Sequence, residues 1–189
     1  MKTPGSRLCD IDDCTLVIID IQTQLGNAMP NKVLSRIVEN TVFMLKSADL
    51  MGVPVIATEQ YPKGLGEYVD DIRDHLPENT HHIQKTRFSC CGSDEFNDIL
   101  EKSGRKQIIL TGMEAHVCVL QSAIELTERG FEVFAVGDSI CSRRLDNYQN
   151  ALDRLEHIGV NLTNTESVVF EWLRDAKNEH FKEIAGWLR

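Results

Sequence analysis

The chain has 189 residues, which suits one domain at roughly 150 residues per domain. Hydrophobic residues make up 42% of the chain and charged residues 26%, values that exclude disordered, collagen-like and disulfide-scaffold classes. Twenty Lys and Arg against 29 Asp and Glu give a net charge of −9, which repels phosphate backbones and anionic lipid. We therefore expect a single domain over residues 1–189 that acts on a small molecule, with no nucleic-acid or membrane partner.

The cysteines and the N-terminal segment indicate a cellular compartment. The six cysteines show no paired spacing and no C-x-x-C motif. Residues 1–13 are polar and resemble neither a secretory signal nor an Arg-rich transit peptide. No apolar run approaches the roughly 18 residues that span a bilayer. These features predict reduced thiols and a cytoplasmic protein.

The first half of the chain alternates short β-branched runs with helical periodicity. Residues 15–19 and 53–58 are too short and apolar for core helices and predict buried strands, with a weaker strand at 82–85. Between the first two runs, an apolar stripe of helical spacing ends at Gly52, as a helix C-terminus would. The stretch 59–77 is the longest non-periodic piece, and loops of that length commonly border a functional site.

The second half continues the alternation of strand and helix. Ser93 is placed to cap a helix that stops at Gly104. The later candidates are a strand at 108–111, a helix at 119–127, a strand at 133–136, a helix at 151–158, a weaker strand at 160–163 and one or two helices in the tail, 166–189. Strand–helix alternation predicts an α/β fold with a mostly parallel sheet of six strands and helices on both faces. The aromatic tail could pack internally or form a subunit contact.

Three reactive side chains fall where such a sheet binds ligands, beyond the carboxyl ends of its strands. Asp20 ends the first strand, Lys85 ends the weak strand, and Cys118 follows the strand at 108–111. A helix N-terminus and an ammonium group favour a thiolate, and a carboxylate can accept the thiol proton. Each residue also has a structural alternative, because cysteines are often buried, lysines often end strands and aspartates often cap turns. Their joint placement favours a nucleophilic site.

Four segments in this order resemble the isochorismatase-like cysteine hydrolases, and most of all the small isochorismatase domain-containing proteins. They are VIIDIQ at residues 17–22, TEQYPKGLG at 58–66, KTRFS at 85–89 and LTGMEAHVCV at 110–119. The resemblance implies a three-layer Rossmann-like fold and a homo-oligomer, a dimer or larger. It also implies a catalytic triad in which Cys118 is the nucleophile, Asp20 the base, and Lys85 the group that lowers the thiol pKa and orients the pair.

The same resemblance assigns the surroundings of the triad. The backbone N–H groups of Glu114 and Cys118 would form the oxyanion hole, and the peptide bond between Met113 and Glu114 would be cis. The side chains expected to line the substrate pocket are Gln22, Tyr61, Leu65, Phe88 and His116. None of these is a charged anchor, which favours a small neutral amide or a related acyl compound.

Two departures from better-known relatives narrow the expected chemistry. Isochorismatase itself carries glycine where this chain has Cys118, so cleavage of a vinyl ether is not expected. Nicotinamidases carry a D-x-H metal motif where this chain reads Glu59-Gln60-Tyr61. His81 and His82 are adjacent in an extended segment and therefore point to opposite faces. We expect neither a metal site nor a cofactor.

Three functions are therefore compatible with the sequence. The first is a metal-independent cysteine hydrolase that works through a thioacyl-enzyme. The second is a catalytically weak or inactive member of the family that serves as a protein-binding scaffold, with the tail around Trp172 and Trp187 as its surface. The third is a thiol redox enzyme using Cys90, Cys91 or Cys118, which lacks an evident resolving cysteine.

Overall fold

A computed structural model describes residues 8–188, so residues 1–7 of the polar N-terminal segment and Arg189 lie outside the described residues. Six strands form one sheet in the order β3-β2-β1-β4-β5-β6, and every neighbouring pair is parallel. The strands are β1 (Cys14–Ile19), β2 (Val55–Gln60), β3 (His81–Lys85), β4 (Gln107–Met113), β5 (Glu132–Cys141) and β6 (Asn161–Thr163). The predicted α/β fold with a parallel six-stranded sheet is confirmed.

Helices cover both faces of this sheet and make two hydrophobic cores. They are α1 (Thr23–Asn27), α2 (Asn31–Met51), α3 (Pro62–Leu65), α4 (Asp70–Arg73), α5 (Asp94–Ser103), α6 (Leu120–Glu128), α7 (Leu145–His157), α8 (Thr165–Leu173) and α9 (Phe181–Trp187). Leu16 and Ile18 of β1 pack with α2, α8 and α9, whereas Val17 and Ile19 pack with α5, α6 and α7. This alternation along the strand produces the three layers expected for a Rossmann-like fold.

The helix boundaries follow the local signals in the sequence. Gly52 and Gly104 adopt left-handed conformations at the ends of α2 and α5, where a residue with a Cβ would be strained. The Ser93 side chain accepts a hydrogen bond from the backbone N–H of Phe96. The predictions of these two helix ends and of the Ser93 cap are confirmed.

The structure differs from the sequence-based expectation in two stretches. Residues 59–77 do not form one open loop, because β2 continues to Gln60 and the short helices α3 and α4 follow. β5 extends beyond the expected residues 133–136 to Cys141. Its last residues pair with the end of β4, and the carboxylate of Asp138, which interrupts the apolar pattern, accepts hydrogen bonds from the backbone N–H and hydroxyl of Thr165. A polar residue whose side chain is hydrogen-bonded can lie within a strand, and apolar patterning does not detect that part of the strand.

The aromatic tail packs mainly inside the molecule. Trp172 is 2% exposed and Ile184 is fully buried. Trp187 makes an edge contact with Phe43, and the Lys46 ammonium lies over its ring. The tail therefore serves the core of the α2 face and offers less surface for a partner than its composition suggested.

Across residues 8–188, every helix is too short or too polar to cross a membrane.

Candidate active site

Strand pairing brings the three reactive residues to one edge of the sheet. β1 lies between β2 and β4, and β3 pairs with β2, so the carboxyl ends of these four strands are adjacent. Asp20 directly follows β1, and Lys85 is the last residue of β3. Cys118 lies in the π-helical turn Ala115–Val119 that connects β4 to α6. Residues separated by 98 positions in the sequence thus share one site.

Asp20 and Lys85 form a buried ion pair at the centre of this site. The Lys85 Nζ lies 2.7 Å from the Asp20 Oδ2, and their side chains are 1% and 0% exposed. The Lys85 ammonium also donates to the Gln60 Oε1 at 2.9 Å and to the Phe88 carbonyl at 3.0 Å, while the Thr58 hydroxyl donates to the Asp20 Oδ1 at 2.7 Å. These contacts use the three ammonium protons and fix both carboxylate oxygens.

Thr58 and Gln60 were missed by sequence reasoning. The signal that could have identified them is a pair of polar residues at the carboxyl end of β2, directly beside the strand that carries Asp20. Both side chains are buried, and buried polar groups at a strand end need partners.

The Cys118 thiol completes the cluster, since Asp20 and Lys85 are the two charged groups that act most strongly on its pKa. Cys118 is 5% exposed, and its turn begins the continuous helical segment that runs through α6. The peptide bond between Met113 and Glu114, immediately before the turn, is cis, as the resemblance implied. The N-terminus of a helix carries partial positive charge and N–H groups without intrahelical acceptors.

Burial and neighbouring charges shift the pKa values of all three groups. Burial raises the pKa of Asp20 above its ordinary value, although Lys85, Thr58 and Cys118 oppose this shift. For Lys85, burial is the largest single influence and acts to lower the pKa, but Asp20, Cys90 and Cys118 together outweigh it, so the pKa is raised and the ammonium remains charged. Burial and the negative charge of Asp20 raise the pKa of Cys118, with Lys85 only partly compensating.

The expectation that the surroundings make Cys118 anionic is therefore wrong for the resting site. The ammonium of Lys85 is already neutralised by Asp20, so it provides little net positive potential at the sulfur. At neutral pH these influences favour the thiol form of the resting sulfur.

Two side chains of the Cys118 turn bind the segment after β5. The Glu114 Oε2 accepts from the backbone N–H of Arg143 at 3.0 Å, and its Oε1 lies 3.2 Å from the Arg143 Nη2. The His116 Nδ1 lies 2.9 Å from the Ser142 Oγ, and its Nε2 lies 3.2 Å from the Asn147 Nδ2. Sequence reasoning assigned His116 to the substrate pocket and did not identify the contacts of the Glu114 side chain.

Gln22, another residue expected in the pocket, is fully buried and bonded to backbone groups. Its Oε1 accepts from the N–H of Gln60 at 2.8 Å, and its Nε2 donates to the carbonyls of Gln60 and Gly66. The side chain thus connects the end of β2 to the residues after α3. Both amide protons are used in these contacts.

Two of the other expected pocket residues, Tyr61 and Phe88, contact Lys85 through backbone groups, and Leu65 lies in α3 with its N–H bonded to the Tyr61 carbonyl. Tyr61 is 54% exposed and donates its N–H to the Lys85 carbonyl at 2.8 Å. Phe88 is 52% exposed, and Leu65 in α3 is partly exposed. An open cleft of about 540 Å³ lies on one side of Phe88, but Asp20, Lys85 and Cys118 do not line it.

The segment that holds a metal motif in nicotinamidases is engaged in protein contacts here. The Glu59 Oε1 accepts from the N–H of Tyr68 at 3.1 Å, and its Oε2 lies 3.4 Å from the Gln84 Nε2. His81 and His82 are both exposed on the edge strand β3. Among residues 8–188 we find no cluster of three or more His, Cys, Asp or Glu side chains suited to a metal ion.

Comparisons with known proteins agree with this architecture. Residues 14–167 match the Isochorismatase domain model, so the chain belongs to the isochorismatase family. It is 36% identical to Isochorismatase family protein 1A of Dictyostelium discoideum over 89% of this chain and 82% of that protein. It is 37% identical to Isochorismatase domain-containing protein 2 of Danio rerio over 79% of this chain and 75% of that protein.

A solved structure described as the MAR1 ribonuclease from Caenorhabditis elegans has a TM-score of 0.90 and 32% identity, over 96% of this chain and 92% of that chain. Family and fold together make the chain an isochorismatase-like hydrolase.

Proposed function

We propose that this hydrolase cleaves a small neutral amide or related acyl compound through a thioacyl-enzyme on Cys118, without a metal or cofactor. One observation carries the proposal. The Asp20 carboxylate, buried and bonded to Lys85 at 2.7 Å, is the charged group that acts most strongly on the Cys118 thiol. A candidate nucleophile, a candidate base and the group that orients the base thus lie in one site.

In the first step, the Cys118 Sγ forms a bond to the acyl carbon while its proton passes to Asp20. The carbonyl π electrons move to the oxygen, which the N–H groups of Glu114 and Cys118 stabilise as an oxyanion hole. The raised pKa of Asp20 makes it a stronger base than an ordinary carboxylate. Collapse of the tetrahedral intermediate breaks the C–N bond, and the leaving amine takes the proton from Asp20.

In the second step, water attacks the thioester carbon. Asp20 accepts a proton from the water, the C–S bond breaks, and the departing sulfur recovers that proton as a thiol. The acid product then leaves. Lys85 remains protonated throughout, because its ammonium is held by Asp20, Gln60 and the Phe88 carbonyl. Its role is to keep the Asp20 carboxylate in place.

The charge balance of the site supports a neutral substrate. Asp20 and Lys85 neutralise each other, and the Cys118 thiol adds no charge in the resting state. An anionic substrate group beside this cluster would meet no uncompensated cation. Tyr61, Leu65 and Phe88 carry apolar surface that is at least partly exposed, which suits a small acyl group. We keep Gln22 as a residue that shapes this pocket through the backbone that it holds.

Alkylation by chloroacetamide tests the nucleophile. We expect Cys118 of the wild-type protein to react at neutral pH at least tenfold faster than Cys141, which is 1% exposed and whose pKa burial raises to about 12. Peptide mapping identifies the modified residue, and Cys118→Ala supplies the control. Equal reaction of Cys118 and Cys141 would contradict an activated nucleophile.

Ribonuclease activity is the competing outcome, since the Caenorhabditis elegans protein carries that description. The net charge of −9 opposes binding of a phosphate backbone, and we keep the prediction of no nucleic-acid partner. Incubation with single-stranded and structured RNA, at low and physiological salt, tests it. Cleavage by the wild-type protein that is lost in Cys118→Ala would replace the acyl substrate with RNA.

The scaffold alternative is tested by the same variant. It predicts no turnover on a broad amide and ester panel and a partner that binds wild-type and Cys118→Ala proteins equally. The mostly buried tail gives this alternative less support than its aromatic content suggested, because Trp172 and Ile184 belong to the core.

The state of the cysteines supports a reducing compartment. All six cysteines lie within the described residues and are free. Burial raises the pKa of Cys90 to about 12 and that of Cys91 to about 11, which disfavours the thiolate form of both residues in thiol redox chemistry. We keep the cytoplasm as the proposed location, and cell fractionation tests it.

We also propose that the chain forms a homo-oligomer. Large apolar side chains remain exposed at Tyr61, Phe88 and Leu145, the last of them 65% exposed. Light scattering coupled to size exclusion should give a mass at least twice that of the 21.4 kDa chain. A monomer at micromolar concentration would contradict this proposal.

A further inference from the structure

The Cys118 turn is attached to residues 142–144, which follow β5, and to the first residues of α7, together here called the brace (residues 142–147). Four contacts make the attachment: two from the Glu114 carboxylate to Arg143, and one from each His116 ring nitrogen, to Ser142 and to Asn147. Glu114 is 6% exposed, so its carboxylate depends on the brace for partners. The brace therefore holds the turn at both of these polar residues.

The contacts of His116 indicate that its role is not substrate binding. If the Asn147 amide donates to Nε2, that nitrogen is an acceptor, and Nδ1 carries the proton donated to the Ser142 hydroxyl. Both ring nitrogens of a neutral imidazole are then occupied by protein groups. His116 and Cys118 are two positions apart in one helical turn, so their side chains leave the helix on different sides.

The position of the sulfur depends on this turn. The Cys118 sulfur lies beside Asp20 at the end of β1, while the brace contacts hold the turn that carries it at Glu114 and His116. A displacement of about 1 Å at a reacting atom can lower a rate about 100-fold. The backbone N–H of Glu114, one of the two proposed oxyanion donors, lies in the segment that the brace fixes.

We infer that Glu114 and His116 are positioning residues, which use the brace to hold the Cys118 sulfur against Asp20 and the oxyanion donors in register. This inference rests on the proposed function of Cys118. It reassigns His116 from the substrate pocket and gives the Glu114 side chain a role separate from that of its backbone N–H. It also makes Ser142, Arg143 and Asn147 functional partners that contact neither substrate nor sulfur.

Alkylation of Cys118 by chloroacetamide between pH 5 and pH 9 tests the inference, with thermal unfolding measured in parallel. The test variants are Glu114→Ala, His116→Ala and Asn147→Ala, with the conservative Glu114→Gln and His116→Gln. Arg144→Ala is the matched control, because among residues 8–188 the Arg144 side chain pairs with the surface residue Asp146 alone, at 3.3 Å. The charged and titratable groups that act on the Cys118 sulfur, Asp20, Lys85 and Cys90, are unchanged in every variant.

We expect Glu114→Ala and His116→Ala to lower the rate at pH 7 by about 10- to 100-fold. We also expect their pH profiles to change from a plateau to a continuous tenfold rise per pH unit, because a sulfur displaced from Asp20 reacts only after ionising in water. Asn147→Ala should show the same change of profile with a smaller loss of about threefold to tenfold, and the conservative variants should recover part of the rate. Loss of stability alone would leave the profile of the folded protein unchanged.

Wild-type rates and wild-type profiles in the folded variants would overturn the inference. If Glu114→Ala and His116→Ala fail to fold, Asn147→Ala decides the question, because it removes a single contact. Failure of the proposed function looks different: Cys118 of the wild-type protein would then react no faster than Cys118 of Asp20→Asn, whatever the brace variants do.

Discussion

Asp20, Lys85 and Cys118 lie together in one buried site, and the charge of each side chain affects whether the others are protonated. Lys85 holds Asp20 as a carboxylate although burial disfavours that form, and Asp20 in turn keeps the Cys118 proton on sulfur until attack. The site is consequently electroneutral at rest. The proposed mechanism relies on proton transfer between sulfur and carboxylate, so it needs no preformed thiolate.

The ion pair should dominate the stability of the site. Lys85→Met leaves the Asp20 carboxylate buried without its counter-charge, and we expect the free energy of unfolding to fall by about 3–5 kcal/mol. Because a protonated carboxyl carries no charge, this loss should shrink as the pH is lowered. Urea unfolding measures both effects. Asp20→Asn combined with Lys85→Met should recover much of the loss, and a strictly additive double variant would contradict the pairing.

The pH dependence of Cys118 alkylation should report Asp20. The wild-type rate requires the carboxylate form, so it is maintained above the Asp20 pKa and is lost as the pH falls through it. Since that pKa is raised, the loss should occur at a higher pH than for an ordinary carboxyl group.

In Asp20→Asn the base is absent. The rate at neutral pH should fall by about 100- to 10,000-fold and rise with pH without a plateau. Stopped-flow alkylation of the two proteins makes the comparison. Parallel profiles would show that Asp20 does not accept the proton.

At the scale of elements, the approach of β4 to β1 depends on one glycine. Gly112 has a φ of 111°, and a Cβ at this position would collide with the backbone of Ile19. Gly112 pairs with Ile19, the residue directly before Asp20. On its other side, Gly112 directly precedes Met113, whose peptide bond to Glu114 is cis. The glycine therefore controls how closely Asp20 and the turn that carries Cys118 approach each other.

Gly112→Ala should lower the free energy of unfolding by more than about 3 kcal/mol, because strain at positive φ adds to the collision. Gly186→Ala in α9 is the matched control, since nothing lies near the added methyl group. It should be neutral or stabilising by up to about 1 kcal/mol. Chemical denaturation of both variants tests this difference, and equal effects would contradict the close approach of β4 to β1.

The elements themselves were predictable to different degrees. β1, α2 and α5 follow apolar periodicity and local end signals such as Gly52 and Gly104, which depend on a few neighbouring residues. In the second half of β5, by contrast, the Asp138 carboxylate receives its hydrogen bonds from Thr165, which lies 27 positions further along the chain. The π-helical turn at Ala115–Val119 carries no periodicity signal of its own. Long-range contacts and irregular turns were therefore not predictable from the sequence.

At the scale of the whole molecule, the tail completes the core on the α2 face of the sheet. Trp172 is among the largest fully or nearly fully buried side chains, whereas Phe170, two positions away, is 38% exposed. Trp172→Ala should lower the free energy of unfolding by about 3–5 kcal/mol. Phe170→Ala removes mainly an edge contact with Phe181 and should cost less than about 1.5 kcal/mol. Thermal unfolding of the two variants at one protein concentration makes the test, and a reversed order would place Trp172 at an interface.

Only part of the candidate site could be predicted from the sequence. Strand ends of a parallel sheet meet at one edge, so the grouping of Asp20, Lys85 and Cys118 followed from topology. The direction of the Cys118 pKa shift did not follow, because it depends on burial and on the neutralisation of Lys85 by Asp20. The contacts from Glu114 and His116 to the brace were equally unpredictable from the sequence, since they join the turn after β4 to residues that follow β5.

The most direct test of the account is to quench the enzyme during reaction with an activated acyl ester and map the acyl group. We predict an acyl group on the peptide that contains Cys118, accumulating in a burst and then released as acid, and no acylation at that peptide in Cys118→Ala. Ester hydrolysis that proceeds at the same rate in Cys118→Ala, with the acyl group absent from Cys118 in the wild-type protein, would contradict a thioacyl-enzyme.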